Sequence, residues 1–282
     1  MSELNFIKKL KEDDEVFSNY DEDFVNFLMD KNNLNKEEAV KLFALGLNSF
    51  KGGFSGSDYG NFTEFFSQTF SWKYGNSEDV YHETYKFHGP LDFFRMLSYQ
   101  SYTSQRDMEL YKQISDFLKD KNESITLVDY GAGLAHITLT LAKILKFVNV
   151  KVKLVIIDID RFIFKEFLKF ISKRYECEVE FIDINSDNPY PKIPKFDFLQ
   201  IKDVFEHVHS PEKIVDNIIN SAKENSIISA TTDDEGPEMM HVTRDLKHVR
   251  NKFKENNFQS TGKSFFLRGE VYMKSDEKEN TF

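Results

Sequence analysis

Two patterns of apolar and polar positions divide the chain. From residue 125 onward, short apolar runs alternate with segments of helical spacing. ITLVDYG, VKLVIIDID, VEFIDI, FDFLQIKDV and NSIISATT read as strands, and AHITLTLAKILKFV, FIFKEFLKFISKRY and SPEKIVDNIINSAKE between them read as helices. In the second of these helices Phe164, Phe167, Leu168 and Ile171 fall near one face. The third opens with Ser210 as its cap and Pro211 at the first helical position, but Lys213 stands where a full capping box needs an acid. FQSTGKSFFL and RGEVYMKS add two strands with a short turn between them, and this last pair can run antiparallel. Alternating strands and helices predict an α/β fold: a seven-stranded, mostly parallel sheet with helices on both faces.

Residues 1–120 show no strand alternation and read as short helices, forming an N-terminal helical region ahead of the α/β domain over 121–282. Asn35 is placed to cap KEEAVKLFALG, with Glu38 completing a capping box and Ala39, Leu42, Phe43 and Leu45 near one face. Gly52, Gly53, Gly56 and Gly60 mark a loop. Pro90 can start a helix through LDFFRMLSYQ, and SQRDMELYKQISDFLKD is a further helix. The tail SDEKENTF reads as frayed.

Composition narrows the classes. With 282 residues, 40% hydrophobic and 30% charged, the chain can bury a sizeable core. Its formal charge of −10 and the lack of a Lys/Arg-rich run disfavour nucleic acid as a partner and favour a small-molecule acceptor. One cysteine, Cys177, excludes an internal disulfide and fits a reducing compartment. No apolar stretch is long enough to span a membrane, and MSELNFIKKLKEDDE carries acid where a secretory signal is apolar, so a cytoplasmic location is expected. Many of the 29 Phe and 12 Tyr lie in the first 110 residues, among them Phe65, Phe66, Phe70 and Phe87. Core packing is their ordinary use, and an aromatic wall around a substrate is the alternative.

In such sheets, ligands bind beyond the carboxyl ends of the strands, where the strand order switches direction. The first strand ends in Asp129-Tyr130-Gly131-Ala132-Gly133-Leu134-Ala135, the second in Asp158-Ile159-Asp160, the third in Asp183-Ile184-Asn185 and the fourth in Lys202-Asp203-Val204. Gly131 and Gly133 allow close backbone approach and expose amides at a helix start. Asp158 sits near the spacing at which a carboxylate accepts from ribose hydroxyls. Asp183 can accept from an adenine amino group, and Asp129 or Asp203 can help hold an ammonium. Singly, each could equally be a cap or a turn residue; their order within one βαβ series is what points to a nucleoside carrying a cationic amino-acid end.

VDYGAGLAH resembles the first motif of class I S-adenosylmethionine-dependent methyltransferases, LVIIDID resembles their second, and FDFLQIKDVFEHVHSPEKIV is similar to their fourth-strand segment. The resemblance spans about 125–275 and implies a Rossmann-like sheet, with S-adenosylmethionine as cofactor. It implies that Asp129, Gly131, Ala132 and Gly133 line the methionine part and that Asp158 binds ribose, with Ile159 against adenine. Asp183 and Ile184 would also meet adenine, and Lys202 or Asp203 the methionine end. Ala135 stands where the family usually has a third glycine. A nicotinamide-type glycine motif would need glycine in place of His136, which argues against a dehydrogenase.

Asp203, Glu206, His207 and His241 form a second constellation. It resembles metal-binding subsets of the superfamily, including small-RNA 2′-O-methyltransferases and ubiquinone-pathway O-methyltransferases, which use Glu at the position of Asp203. Glu206, His207 and His241 are the candidate catalytic groups, with a structural role, a general base and a divalent metal site all open, the metal the least expected. The implied activity is methyl transfer to a small or medium-sized acceptor, on oxygen or nitrogen rather than carbon, with the N-terminal helices and the loops after the fourth and fifth strands around the acceptor. A non-catalytic nucleoside-binding or scaffold protein is the alternative.

Overall fold

A computed structural model describes residues 20–43, 82–84, 105–120, 124–234, 241–265 and 269–274. Its labelled helices are α1 (Tyr20–Asn32), α2 (Gln105–Lys119), α3 (His136–Phe147), α4 (Phe162–Arg174), α5 (Pro211–Ser221) and α6 (Lys247–Glu255). Its strands are β1 (Ser124–Tyr130), β2 (Lys151–Ile159), β3 (Glu178–Ile184), β4 (Phe196–Ile201), β5 (Ala222–Ala230), β6 (Phe258–Phe265) and β7 (Gly269–Lys274). They form one sheet in the order β3-β2-β1-β4-β5-β7-β6. The first five strands are parallel; β7 runs antiparallel to β5, and β6 antiparallel to β7. The chain winds outward from β1 in one direction and from β4 in the other, so the switch point lies between these neighbours.

Side-chain alternation sends successive residues to opposite faces. Ile125 and Leu127 of β1, Leu154 and Ile156 of β2 and Phe198 of β4 share a core with α1 to α4. Val128, Tyr130, Val155, Ile157 and Leu199 face the opposite core, closed by α5 and α6. Every residue of β4 is buried, as expected of a central parallel strand. In α4 the expected face, Phe164, Phe167, Leu168 and Ile171, is buried. Among the described residues no helix is long and apolar enough to cross a membrane.

Several boundaries differ from the sequence expectation. The helix from Pro211 stops at Ser221, and Ala222–Glu224 belong to β5. Ala222 pairs with Phe196 before the register shifts, and left-handed Asn225 (φ 58°) lies within that irregular stretch. Ser210 occupies the cap position of α5 without a side-chain cap bond. Lys202, Asp203 and Val204 lie beyond β4 rather than in it. Helix α6 was not expected, because KHVRNKFKE buries only Val249 and Phe253. The Asn35–Glu38 capping box is present in full: Glu38 N donates to Asn35 Oδ1 at 3.0 Å and Asn35 N to Glu38 Oε2 at 2.9 Å. The glycine loop at 52–60, the Pro90 helix, the clustered aromatics of 65–94 and the tail lie outside the described residues.

Helix α1 docks on the outside of α3 and α4. Phe24 and Phe27 pack edge-on against Phe167. Beside them Asp23, 1% exposed, accepts from Lys143 Nζ at 2.7 Å and Tyr175 OH at 3.0 Å, with Arg174 Nε at 3.4 Å. Burial lowers the Lys143 pKa, and the Asp23 carboxylate works against that shift. Removing one member of a buried charge cluster strands the others. Asp23→Ala is therefore expected to cost about 3–5 kcal/mol in denaturant unfolding. Glu166→Gln, which breaks the surface pairs of Glu166 with Lys31 and Lys169, should cost far less. Equal losses in the two variants would count against the Asp23 cluster as the anchor of α1.

Candidate active site

The turn after β1 is built on alternating backbone hands. Gly131 (φ 70°), Gly133 (φ 52°) and Ala135 (φ 50°) are all left-handed, two residues apart. Glycine accepts this conformation freely; alanine does so at a cost of about 1–2 kcal/mol. The alternation turns the chain sharply from β1 into α3, whose first residue is His136. Gly131 N donates to Ile157 O of β2 at 2.7 Å. A methyl group at Gly131 would run into the side chain of Val204, beyond β4, so this turn lies tightly in the switch point.

The end of β2 braces the same turn. Asp158 Oδ2 accepts from Gly133 N at 2.8 Å, and Oδ1 from Ile159 N at 2.7 Å. Arg161 Nη2 reaches Oδ2 at 2.5 Å, and the Arg161 guanidinium lies 4.0 Å over the Phe164 ring. Register pairs Asp158 with Asp183 and Ile159 with Ile184. The two carboxylates therefore share one face. Lys165 answers the second, at 2.5 Å from Asp183 and 2.9 Å from Asp160. Burial works against the charge on Lys165, but these carboxylates outweigh it and raise its pKa. Gly133, Asp158, Arg161, Phe164, Lys165 and Asp183 line a small open cleft. Ile159 also lines it, while Ile184 packs into the opposite core.

Asp129 ends the β1 side of the site. It is buried and accepts from Thr138 Oγ1 at 2.7 Å. Burial raises its pKa well above the usual carboxylate value, and the charge of Asp158 adds to the shift. Ala132 is buried between the two glycines. His136 lies between charges as well as in the protein: burial, then Lys143 and Lys202, push its imidazole down to about 3.

Beyond β4 the left-handed Asp203 (φ 52°) accepts from Thr231 Oγ1 at 3.2 Å. The segment 205–207 then makes a short 3-10 turn. Glu206 and His207 converge with His241, which follows β5, so that one ligand atom from each lies within 4.8 Å of the others. All three are buried. The His207 and His241 rings meet edge-on at 5.1 Å, and His207 Nε2 is 3.8 Å from Glu206 Oε1. The two loops are clamped through their backbones: Val242 N and Thr243 N donate to Glu206 O at 2.8 and 3.1 Å, and Thr243 Oγ1 to Val208 O at 2.6 Å. Asp203, grouped with these three from the sequence, is held on Thr231 and does not join their donor set.

Sequence reasoning missed Arg161 and Lys165, although Arg161 stands three positions after Asp158 and Lys165 is on the first turns of the next helix. It also missed Gln200 and Ser229. Both are buried and aligned with Asp129 in one row across β1, β4 and β5. The Gln200 amide and Ser229 hydroxyl have no hydrogen-bond partner among the described residues. A glutamine inside an otherwise apolar strand was their only signal.

No protein-family model and no curated protein matches this sequence. Solved structures with a similar fold are class I S-adenosylmethionine-dependent methyltransferases and related methylases. One, from Listeria monocytogenes, whose class I assignment is itself inferred, is 12% identical, with 96% of this chain and 91% of that chain covered at a TM-score of 0.45. A precorrin-6Y C5,15-methyltransferase of Geobacter metallireducens is 14% identical, covering 61% of this chain and 90% of its own at 0.37. An S-adenosylmethionine-dependent methyltransferase of Aquifex aeolicus is 18% identical, covering 61% and 94% at 0.36. Likeness at this level concerns the fold, which is the Rossmann-like sheet with its switch point between β1 and β4. What the site can do is read from its own residues.

Two positions of the turn should respond with opposite signs. Gly131→Ala is expected to destabilise by about 1–3 kcal/mol through overpacking, with partial recovery when Val204→Ala is added. Ala135→Gly should stabilise by up to about 1 kcal/mol, because it removes the left-handed penalty. Thermal and denaturant unfolding of the three variants checks both. Destabilisation by Ala135→Gly would contradict the strain assigned there.

The His136 shift fixes a pH dependence. The folded protein keeps this imidazole neutral to about 3, while the unfolded chain protonates it near 6.5. Between these values the unfolded state binds the extra proton, so acidification removes stability. The His136→Gln variant should lose less stability than the parent between pH 6.5 and 4.5, measured by denaturant midpoints. Parallel slopes would sink the assignment.

Proposed function

We propose that the chain is an S-adenosylmethionine-dependent methyltransferase acting on a small or medium-sized acceptor at oxygen or nitrogen. One observation carries this reading: the left-handed turn 131–135 lies in the switch point and is tied through Gly133 N to the Asp158 carboxylate. That brings the start of α3, the Asp158 carboxylate and the buried Asp129 to one edge of the sheet. The motif resemblance of VDYGAGLAH and LVIIDID supports the same cofactor. Its sulfonium supplies an already activated methyl group, so the protein has mainly to align the acceptor.

Each residue then has a task. Asp158 orients the ribose; with three donors already on its carboxylate, binding both hydroxyls requires Arg161 to yield its place. Asp183 faces the same cleft and suits the adenine amino group, with Ile159 in its lining and Ile184 behind it. Gly131, Ala132 and Gly133 bring backbone against the methionine part. Burial raises the Asp129 pKa, and an ammonium beside it would favour the charged form, with Lys202 and Asp203 at the same end. Glu206, His207 and His241 stand at the ends of β4 and β5, where they can position the acceptor or take its proton. The N-terminal helical region over 1–120 is proposed as the substrate-recognition element. A small-molecule acceptor in a cytoplasmic setting fits the acidic net charge.

His136 at the first position of α3 leaves no glycine for a nicotinamide-type motif. Calorimetric titration with S-adenosylmethionine and S-adenosylhomocysteine, beside a reduced nicotinamide control, tests the reading. Micromolar binding of the first two and none of the third is expected. Asp158→Ala should weaken that binding by about 1–3 kcal/mol, while circular dichroism shows a folded chain. Binding without transfer to any acceptor would favour a nucleoside-binding protein, and no binding would remove the cofactor assignment.

A further inference from the structure

We infer that Gln200 and Ser229 form a binding site for a neutral amide or lactam edge, the group by which the acceptor is held beside the methyl donor. Both lie inside the sheet, 4% and 0% exposed. Register aligns them with Asp129 in one row across β1, β4 and β5. Leu127, Phe198 and Ile227, two positions earlier on the same strands, belong to the core shared with α1 to α4. Alternation turns the row toward that same side. Gly131, two positions after Asp129, and Lys202, two after Gln200, are partly exposed. The row therefore lies one side-chain layer below the strand ends at the switch point, and is reached from there.

Unused hydrogen-bonding capacity sets the pair apart. Neither the nitrogen nor the oxygen of the Gln200 amide has a partner among the described residues, and neither has the Ser229 hydroxyl. Buried hydroxyls without a partner also occur at Ser115, Ser172 and Ser226, but Gln200 is the only side-chain amide so placed among the described residues. The two groups close on one spot. A methyl at Gly269 would stand 2.7 Å from Ser229 Oγ and 4.0 Å from Gln200 Nε2, so glycine at the start of β7 leaves that spot to the polar groups. A buried amide left unbonded destabilises the free protein, and a ligand that bonds it recovers that cost on binding. The chemistry of the row selects the ligand. The amide offers a donor and an acceptor side by side, whose complement is a donor–acceptor edge of the same kind. Ser229 adds a hydroxyl that can donate or accept. Neither group carries a charge to compensate an ion, and the Asp129 carboxylate beside them disfavours an anion. A primary carboxamide or a ring lactam meets these demands; a carboxylate or a purely apolar group does not.

That the bound molecule is the methyl acceptor rests on the methyltransferase reading; the amide site itself does not. The test titrates the full chain with 2-pyridone, a neutral lactam, by saturation-transfer NMR, with and without S-adenosylhomocysteine. N-methyl-2-pyridone, whose ring nitrogen carries no hydrogen, and benzoate are the controls. Saturable binding of 2-pyridone is expected, with both controls weaker by about tenfold or more. Gln200→Met and Gln200→Leu should weaken it by about fivefold or more, and Ser229→Ala by about twofold or more. Thermal midpoints of these variants should hold or rise, because an unbonded polar group has been removed. Their S-adenosylhomocysteine affinity should stay close to that of the parent. No binding of 2-pyridone, equal binding of N-methyl-2-pyridone, or binding kept in both Gln200 variants would overturn the proposal. A lower midpoint in all three variants would show these groups already bonded in the free protein, and an equal loss of S-adenosylhomocysteine affinity would give the amide to the cofactor; either result overturns it too. Binding of 2-pyridone by a chain that does not bind S-adenosylhomocysteine keeps the amide site and removes the methyl-transfer reading.

Discussion

The bond from Gly133 N to Asp158 Oδ2 fixes the working edge of this protein. It joins the turn after β1 to the end of β2, and the same carboxylate holds its own backbone and Arg161. The turn after β1 and the segment leading from β2 into α4 thus refer to one side chain. The left-handed residues of the turn only make sense with that anchor: they bend the backbone so that an amide meets β2 rather than water. Val204 closes the other side, where any side chain at Gly131 would collide with it.

Charge at this edge is arranged in compensating pairs. Parallel register sets Asp158 beside Asp183, an unfavourable juxtaposition alone, and α4 answers with Arg161 and Lys165. Deeper in, Asp129 and His136 lie a few residues apart, and burial drives both toward their uncharged forms. Arg161 occupies the Asp158 carboxylate from the cleft side, so any ligand that takes this carboxylate must first displace the guanidinium.

The sheet was legible because its strands are apolar runs bounded by turn residues, and the helices of 136–174 because their buried residues recur at helical spacing. Helix α6 was not, since two buried residues in nine carry no period. The end of α5 was misplaced for a related reason: Ala222, Lys223 and Glu224 favour helix locally, and pairing of Ala222 with Phe196 overrides that preference. At the site, the glycine turn and Asp158 could be read from spacing alone. The partners of the carboxylates could not, because Lys165 meets Asp183 only through the register of β2 with β3. Glu206, His207 and His241 were singled out by residue type, but only the clamp between two loops decides that Asp203 stays outside their set.

The outer hairpin has a consequence for how the chain reaches this state. Tyr111 of α2 packs tilted against Phe265 of β6 with ring centres 4.9 Å apart, and Lys263 Nζ donates to Gln113 Oε1 at 2.8 Å, across 150 residues of sequence. Asp23 likewise waits for Tyr175, 152 residues later. During synthesis the apolar faces of α1 and α2 therefore leave the ribosome long before the surfaces that cover them. Closing such distant contacts is slow. The early helices spend that interval exposed, which makes the nascent chain a natural client for chaperones that shield apolar segments.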